Sequence, residues 1–209
     1  MTAQKLILAD EVVAEGAVWL AQRETRFAFA LSATGPLPLR SRGDGFSALL
    51  SAIVSQQLSV ASAAAIWNRL HSADMTEADT IMRADDTALR AAGLSRQKIR
   101  YARALAESGI DFAGLRQCED AEVVAVLTQV LGIGIWTAEI YGMFSLSRPD
   151  IFVPGDLALQ EAARSLFALP ERPKERALRQ MAEAWSPWRS VAARLLWAYY
   201  AVIKNREGI

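Results

Sequence analysis

The sequence is poor in residues that bind metals or form disulfides. It contains one cysteine, Cys118, and one histidine, His71, among 209 residues. A single cysteine excludes an internal disulfide framework and a cysteine-ligated iron–sulfur cluster. Together with one histidine, it also leaves too few of the usual ligands for a zinc site. We therefore expect no cofactor and no metal ion bound by side chains.

The sequence also has no net charge and no long apolar run. Its 23 basic and 23 acidic residues cancel, so any surface for nucleic acid must come from local segregation of charge. No segment approaches the roughly 18 uninterrupted apolar residues of a membrane span. The first residues lack the basic and apolar regions of a secretory signal. We therefore expect a soluble protein of the cytoplasm that does not contact a membrane.

Alternating strand patterns are missing, and helical periodicity dominates the chain. The hydrophobic fraction of 52% is ample for a core. The pattern predicts about ten short helices, with Asp10, Thr76 and Ser95 as N-caps of three of them. Residues 34–45 are predicted to form a loop, because prolines and glycines interrupt any period there.

Two glycines in the stretch LGIGIWTAEI, residues 131–140, raise a more specific question. Gly132 and Gly134 lie between two predicted helices, where one glycine would be enough to end a helix. A dinucleotide-binding fingerprint is excluded, because it needs a third glycine where Thr137 stands and a strand where a helix is predicted. Two alternatives remain: a simple interhelical turn, or a helix–hairpin–helix whose backbone N–H groups bind a phosphate.

A single acidic residue stands where a second loop gives way to a helix. Asp156 follows Pro154 and Gly155 and precedes the apolar helix LALQEAARSLFAL. The commonest role of an aspartate in that position is an N-cap. A carboxylate at a helix N-terminus among apolar neighbours also suits the stabilisation of a developing cation, because the helix dipole favours its negative charge.

Several segments, in one order along the chain, resemble a single family. LTQVLGIGIWTAEI followed by FSLSRPDIFVPGDLALQ resembles the helix–hairpin–helix DNA glycosylases with a Gly/Pro-rich loop and a catalytic aspartate. The resemblance is strongest to the 3-methyladenine DNA glycosylase II (AlkA-type) branch. The segments AIVSQQLSVASA, AGLSRQKIRYARALAE and WSPWRSVAARLLWAYY agree in the same order, so the resemblance covers roughly residues 45–203.

The resemblance implies an all-α fold in which two helical lobes flank a cleft. It places a central lobe at about residues 45–130 and a second lobe at 1–44 plus 131–209, with the hairpin at 126–144. Together the lobes form a single glycosylase domain. Residues 1–44 are too short and too helical for the mixed β domain of the best-known AlkA-type enzymes. The chain therefore resembles a compact form, which we expect to be a monomer.

The resemblance also implies a reaction on double-stranded DNA that contains alkylated bases. Asp156 matches the catalytic aspartate, which stabilises the sugar cation formed when the N-glycosidic bond of a flipped 3-methyladenine or 7-methylguanine breaks. Relatives that also cut the strand carry a lysine nucleophile where Trp136 stands, and tryptophan has no amine for a Schiff base. We therefore expect a base excision repair enzyme without AP-lyase activity.

Aromatic residues are expected to form the base pocket. Trp136 would stack on the flipped purine. Trp188 or Trp185, in that order of preference, matches a segment that supplies a further aromatic wall. Ile140 replaces the tyrosine of the best-known AlkA-type pattern, so the pocket is expected to be less aromatic. Trp197 is interpreted as ordinary packing.

The SQQLS segment and a basic run are candidate DNA contacts. Gln57, with Leu58 beside it, matches the residue that fills the gap left by the flipped base. The run SRQKIRYAR contains four basic residues and no acidic one, namely Arg96, Lys98, Arg100 and Arg103. It forms a local basic patch, although such a run is usually only a solvated helix face.

The hairpin is the other expected DNA contact. The backbone N–H groups of Gly132, Gly134 and Trp136 would bind one phosphate, with Thr137 next to them as a further DNA-binding residue. Family hairpins often also hold a monovalent cation through main-chain carbonyls. That cation is the only metal that the resemblance allows.

Two other functions fit parts of the pattern. A non-catalytic DNA-binding module would use the same hairpin, but it would need neither Asp156 nor the aromatic residues nor the SQQLS segment. A helical scaffold for protein contacts would use the glycines only as turns, and it would show no salt-dependent affinity for DNA.

Overall fold

The computed structural model describes residues 5–207, and within that range it contains thirteen α-helices, one 3-10 turn and no β-strand. In chain order they are α1 (Asp10–Arg23), α2 (Thr25–Thr34), α3 (Phe46–Ser55), α4 (Val60–Ser72), α5 (Ala78–Arg83), α6 (Asp86–Ala91), α7 (Arg96–Glu107), α8 (Phe112–Leu115), α9 (Asp120–Thr128), α10 (Ile135–Phe144), α11 (Leu157–Leu166), α12 (Glu175–Met181), the 3-10 turn (Ala182–Trp185) and α13 (Arg189–Glu207). The expected all-α fold is confirmed. None of the described helices is both long and apolar enough to span a bilayer.

The helices are more numerous and shorter than the periodicity predicts. Of the three predicted N-cap residues, only one is found in that position. Ser95 is the predicted N-cap of α7, and its Oγ accepts a hydrogen bond from a first-turn backbone N–H at 3.3 Å. The prediction for Asp10 is wrong, because Asp10 lies inside α1 and its carboxylate accepts instead from the Leu39 N–H at 2.8 Å. Glu77, rather than Thr76, occupies the N-cap position of α5.

The chain forms two compact units, and the boundary between them differs from the sequence-based one. The central unit is Arg42–Tyr141, and the terminal unit combines the chain up to Ser41 with the chain from Gly142 onward. The boundary therefore falls within α10, and the hairpin turn, residues 129–134, belongs to the central unit. Within the central unit, the Gln56 side chain donates to a hairpin carbonyl at 2.9 Å.

The terminal unit has an aromatic core. Helix α13 packs against α2 and α11, and α1 packs against α2 and α13. The indole of Trp185 lies among three phenylalanines, with ring centroids 5.2 Å from Phe27, 5.4 Å from Phe152 and 5.8 Å from Phe167. These separations lie in the range in which aromatic pairs attract each other beyond simple burial. Trp185 is therefore the centre of this core.

Trp188 belongs to the same core through a close approach of two helices. A Cβ atom built on Gly16 of α1 would lie 2.7 Å from the Trp188 ring. Real side-chain atoms do not approach that closely, so only glycine lets α1 pack directly on the indole. Trp188, which directly precedes α13, is thus buried by α1.

The central unit is organised around α7, which packs against α3, α5 and α6. Arg103 donates to the Ile81 carbonyl at 3.1 Å and to the Ala84 carbonyl at 2.8 Å. Lys98 donates from Nζ to the Val54 carbonyl at 2.6 Å, and partial burial lowers the pKa of Lys98. Half of the predicted basic patch therefore joins helices to one another.

The aromatic core predicts a large loss of stability for Trp185→Ala. We expect the free energy of unfolding to fall by about 3–5 kcal/mol, because the surrounding phenylalanines cannot collapse into the cavity. Phe29→Ala is the matched control, since Phe29 is 56% exposed and makes one edge contact with Tyr199. It should cost about 1 kcal/mol. Urea unfolding followed by circular dichroism measures both, and equal losses would contradict the central place of Trp185.

Candidate functional site

Asp156 lies at the start of α11, where one of its carboxylate oxygens accepts three hydrogen bonds. Asp156 is the N-cap residue, and Oδ1 accepts from the backbone N–H groups of Ala158 at 3.0 Å and Leu159 at 3.1 Å. The third donor is the indole Nε1–H of Trp197, 3.1 Å from the same oxygen. These bonds fix the orientation of the carboxylate, and the helix N-terminus stabilises its negative charge.

The loop before Asp156 is anchored by α11 and by the start of α13. The buried side chain of Gln160 donates from Nε2 to the Pro154 carbonyl at 2.8 Å. Earlier in the loop, Arg189 binds Asp150 through two hydrogen bonds, Nε to Oδ1 at 2.8 Å and Nη2 to Oδ2 at 2.7 Å. Bidentate pairs of this kind are strong and directional. These bonds therefore fix the backbone of the loop that leads to Asp156.

Trp197 is a contact of Asp156 that sequence reasoning missed. It lies on α13, 41 residues from Asp156, and its ring lies 5.9 Å from that of Phe144. The guanidinium of Arg194 lies over the Phe144 ring at 4.6 Å. Burial, and secondarily the charge of Arg40, lowers the pKa of Arg194 to about 10. No local pattern marks Trp197, because its role depends on how α13 faces α11.

Trp185 and Trp188, the two tryptophans expected in a base pocket, are buried instead. Their exposed fractions are 5% and 7%. Trp185 packs among phenylalanines and Trp188 against Gly16, so the structure places both in the core of the terminal unit. The indole that contacts Asp156 is that of Trp197.

The two glycines of the hairpin turn have different structural roles. Gly132 has a φ of +95°, which favours glycine, and a Cβ atom there would lie 2.3 Å from the Tyr101 ring. Gly134 is exposed, and a Cβ atom there would meet nothing within 4 Å. Gly132 is therefore required by the fold, whereas Gly134 leaves open space in front of the backbone.

Helix α10 begins directly after Gly134, with its first turn at the surface. The Gly134 carbonyl accepts from the Ala138 N–H at 3.0 Å, which places Gly134 directly before the first turn of the helix. Ile135 and Trp136 are 53% and 48% exposed, whereas Thr137 is buried at 6%. The start of α10 is therefore suited to an anion, although the Thr137 side chain faces the protein interior.

The insertion loop, residues 56–59 between α3 and α4, exposes the residues predicted to enter DNA. Gln57 is exposed with a φ of +56°, and Leu58 is 41% exposed. Ser59 caps α4, since its Oγ accepts from the Ser62 N–H at 3.2 Å. Gln56, in contrast, is half-buried and donates to the hairpin turn. Of these two adjacent glutamines, Gln56 is thus bonded to the hairpin turn and Gln57 is exposed.

A cavity of about 1030 Å³ in the central unit is lined by one face of α3, one face of α4 and the start of α10. Five residues singled out from the sequence line it, namely Gln57, Leu58, Trp136, Thr137 and Ile140. Trp67 of α4 also lines it, and sequence reasoning missed this residue. Helical spacing places Trp67 on the same face of α4 as Ala63 and Ala64, which also line the cavity. The sequence alone does not show that this face is turned toward the cavity.

Tyr141, the neighbour of Ile140, has a structural role at the start of α3. Its hydroxyl oxygen accepts a hydrogen bond from the Gly45 N–H at 2.8 Å. Burial is the main reason that the pKa of Tyr141 is raised, and the bond from Gly45 opposes that effect. Tyr141 therefore anchors α3, and Ile140 is the residue on the cavity.

The described side chains, residues 5–205, include no group of three or more His, Cys, Asp or Glu residues that could hold a metal ion. On the hairpin turn, the Gly132 carbonyl accepts from Gln56 and the Val130 carbonyl accepts from the Ile133 N–H at 3.0 Å. A monovalent cation bound by these carbonyls would use the second lone pair of each oxygen.

Comparison with known proteins gives consistent matches. Residues 50–187 match the model of the HhH-GPD superfamily of base excision DNA repair proteins. DNA-3-methyladenine glycosylase 1 of Schizosaccharomyces pombe is 33% identical over 163 residues, which cover 73% of this chain and 71% of that protein. A crystal structure of DNA-3-methyladenine glycosidase from Bacillus halodurans has a TM-score of 0.81 and 34% identity over 89% of each chain. The S. pombe 3-methyladenine DNA glycosylase in complex with abasic DNA has a TM-score of 0.75 and 30% identity, covering 88% of this chain and 95% of that one.

The different surroundings of the two glycines predict different effects on stability. Gly132→Ala should lower the free energy of unfolding by about 2–3 kcal/mol, because it adds a strained φ and an overlap with Tyr101. Gly134→Ala should stay within about 0.5 kcal/mol of wild type, as expected for an open surface position. Chemical denaturation of both variants tests this pair, and a stable Gly132→Ala protein would contradict the geometry of the turn.

Proposed function

Because the chain belongs to the HhH-GPD superfamily of base excision DNA repair proteins, we propose that it is a monofunctional DNA glycosylase for alkylated purines in duplex DNA. The substrates would be of the 3-methyladenine and 7-methylguanine type, and relatives named as 3-methyladenine glycosylases support that class. The observation that carries the proposal is the Asp156 carboxylate, which three donors hold at the start of α11. We further propose that the enzyme acts as a monomer on DNA in the cytoplasm.

In this proposal, Asp156 acts on the sugar rather than on the base. When the N-glycosidic bond breaks, the base leaves with the bonding electrons and the sugar becomes oxocarbenium-like. A carboxylate that is already oriented stabilises that cation without reorganising, by an amount of about 3–4 kcal/mol if it resembles preorganised oxyanion donors. Water then adds to C1′ and gives up a proton to the solvent, and an abasic site remains in an intact strand.

Trp136 supports the monofunctional part of the proposal. Strand cleavage through a Schiff base requires an amine nucleophile. The indole of Trp136 cannot supply one, and it stands at the exposed start of α10, where the resemblance places the lysine of bifunctional relatives. The reaction would therefore stop after release of the base.

The hairpin turn and the insertion loop would bind the DNA. The open space at Gly134 lets the backbone approach a phosphate, and the positive end of α10 attracts it. A phosphate contact of this kind positions the duplex without reading its sequence. Gln57 and Leu58 would then fill the gap that the flipped base leaves in the stack.

The cavity of the central unit would contribute aromatic surface for the base. Alkylated purines are electron-poor or cationic, and aromatic faces attract such groups. Trp136 and Trp67 both line the cavity, whereas Ile140 adds no ring. Trp67 would therefore supply aromatic surface that the isoleucine lacks.

A non-catalytic DNA-binding module is the alternative function. It would use Gly134 and the start of α10 in the same way. It would need neither the Asp156 carboxylate, nor the aromatic residues of the cavity, nor the exposed insertion loop, whereas a base-flipping catalyst would use all three. The glycosylase proposal is therefore preferred.

Asp156→Asn should remove most of the activity without disturbing the fold. Asparagine is as good an N-cap as aspartate, so α11 keeps its start. A neutral amide cannot stabilise the sugar cation, and we expect the single-turnover rate of base release from methylated duplex DNA to fall by about 10²–10³. Release of free base is measured by chromatography, and DNA affinity by fluorescence anisotropy.

Asp85→Asn is the matched control for this change. Asp85 caps α6 through a bond from the Ala88 N–H at 2.7 Å, so the same substitution at another helix start should leave the rate at the wild-type value. A full rate for Asp156→Asn with normal DNA binding would remove Asp156 from the mechanism.

Borohydride trapping tests the monofunctional part separately. Reduction of an imine would join a bifunctional enzyme to its DNA covalently, and we expect no such adduct here because position 136 carries tryptophan. A bifunctional glycosylase treated in parallel shows that the trapping works. A trapped complex of this protein would show that another amine acts as nucleophile.

A further inference from the structure

Gln56 joins two loops that are far apart in the sequence. Its Nε2 donates to the Gly132 carbonyl at 2.9 Å, across 76 positions of the chain. Its side chain is half-buried, whereas the next residue, Gln57, is exposed. The insertion loop is thereby bonded directly to the hairpin turn.

The contacts before Gln57 all hold the loop in one conformation. Lys98 donates to the Val54 carbonyl at 2.6 Å, at the end of α3. The backbone N–H of Gln56 donates to the Ile53 carbonyl at 3.3 Å. Gln57 itself has a φ of +56°, which is uncommon for a residue other than glycine. Such conformations persist only where neighbouring contacts hold them, and Gln56 is the adjacent residue that makes one.

We propose that Gln56 is a positioning residue that couples the hairpin turn to the insertion loop during base flipping. This inference rests on the proposed function. Because one amide ties the two loops together, a phosphate bound at the hairpin turn would set the place of Gln57 and Leu58 on the same duplex. These residues would then be ready to fill the gap as the base leaves the stack.

The step that depends on Gln56 is flipping, rather than DNA binding or bond cleavage. Without its amide, the hairpin turn keeps the packing of Gly132 against Tyr101, so phosphate binding is retained. The insertion loop, however, would then lose its bond to the hairpin turn, and the free energy of ordering it would add to the cost of flipping the base. Flipping is least costly for a base that is already unpaired, so the loss of Gln56 should matter most for a fully paired lesion.

Gln56→Leu tests this dependence on two substrates. One duplex carries a single 7-methylguanine opposite cytosine, and the other carries it opposite a tetrahydrofuran abasic analogue. We expect the single-turnover rate to fall about tenfold on the paired duplex, as for the loss of one well-made hydrogen bond. The loss should shrink to about twofold on the abasic duplex. Affinity for undamaged duplex should change by no more than about twofold, because the phosphate contacts remain.

Gln117→Leu is the matched control, because Gln117 is an exposed glutamine of the same unit. It should leave both rates and the affinity at their wild-type values. If Gln56→Leu lowers the melting temperature, Gln56→Asn provides the same comparison, since its amide is one methylene too short to reach the carbonyl.

Two results would overturn the inference alone. An equal loss on both duplexes would indicate a merely structural role, and an unchanged rate on the paired duplex would show that the bond is dispensable. A wild-type protein that releases neither 7-methylguanine from these duplexes nor 3-methyladenine from methylated duplex DNA would instead overturn the proposed function on which the inference rests.

Discussion

The convergence of three N–H groups on one oxygen of Asp156 is the interaction on which the proposed chemistry depends. Two of these donors come from the first turn of α11, so the carboxylate that begins the helix is also the charge that would meet the sugar cation. The third comes from Trp197 on α13, which packs against α11. The observed role of helix cap and the proposed role of catalyst would therefore use the same geometry.

The two glycines of the hairpin turn in the central unit differ in what they contribute. Gly132 is required by the protein itself, because its φ and the Tyr101 ring exclude a side chain. At Gly134, an added Cβ atom would meet no described atom of the protein within 4 Å. Such open space in front of the backbone is what a binding site for an external anion would show. Gln56 then connects this turn to the insertion loop. Phosphate binding and base flipping would thereby share one rigid element.

Much of the fold and part of the site follow from the sequence, because they rest on local signals. The helical periodicity, the paired glycines and the Pro-Gly-Asp start of α11 each involve a few neighbouring residues. Trp197 and Trp67 carry no such signal, since their surroundings depend on which way α13 and α4 face. Trp185 and Trp188 were expected in the pocket, but tertiary packing against Phe27 and Gly16 decides their place.

The central claim is that this protein hydrolyses the N-glycosidic bond of alkylated purines and does no more. The most direct measurement incubates the wild-type protein with methylated duplex DNA and follows both free base and strand length in the same reaction. We expect release of 3-methyladenine or 7-methylguanine, with strands that break only after alkaline treatment. The absence of any released base would contradict the claim.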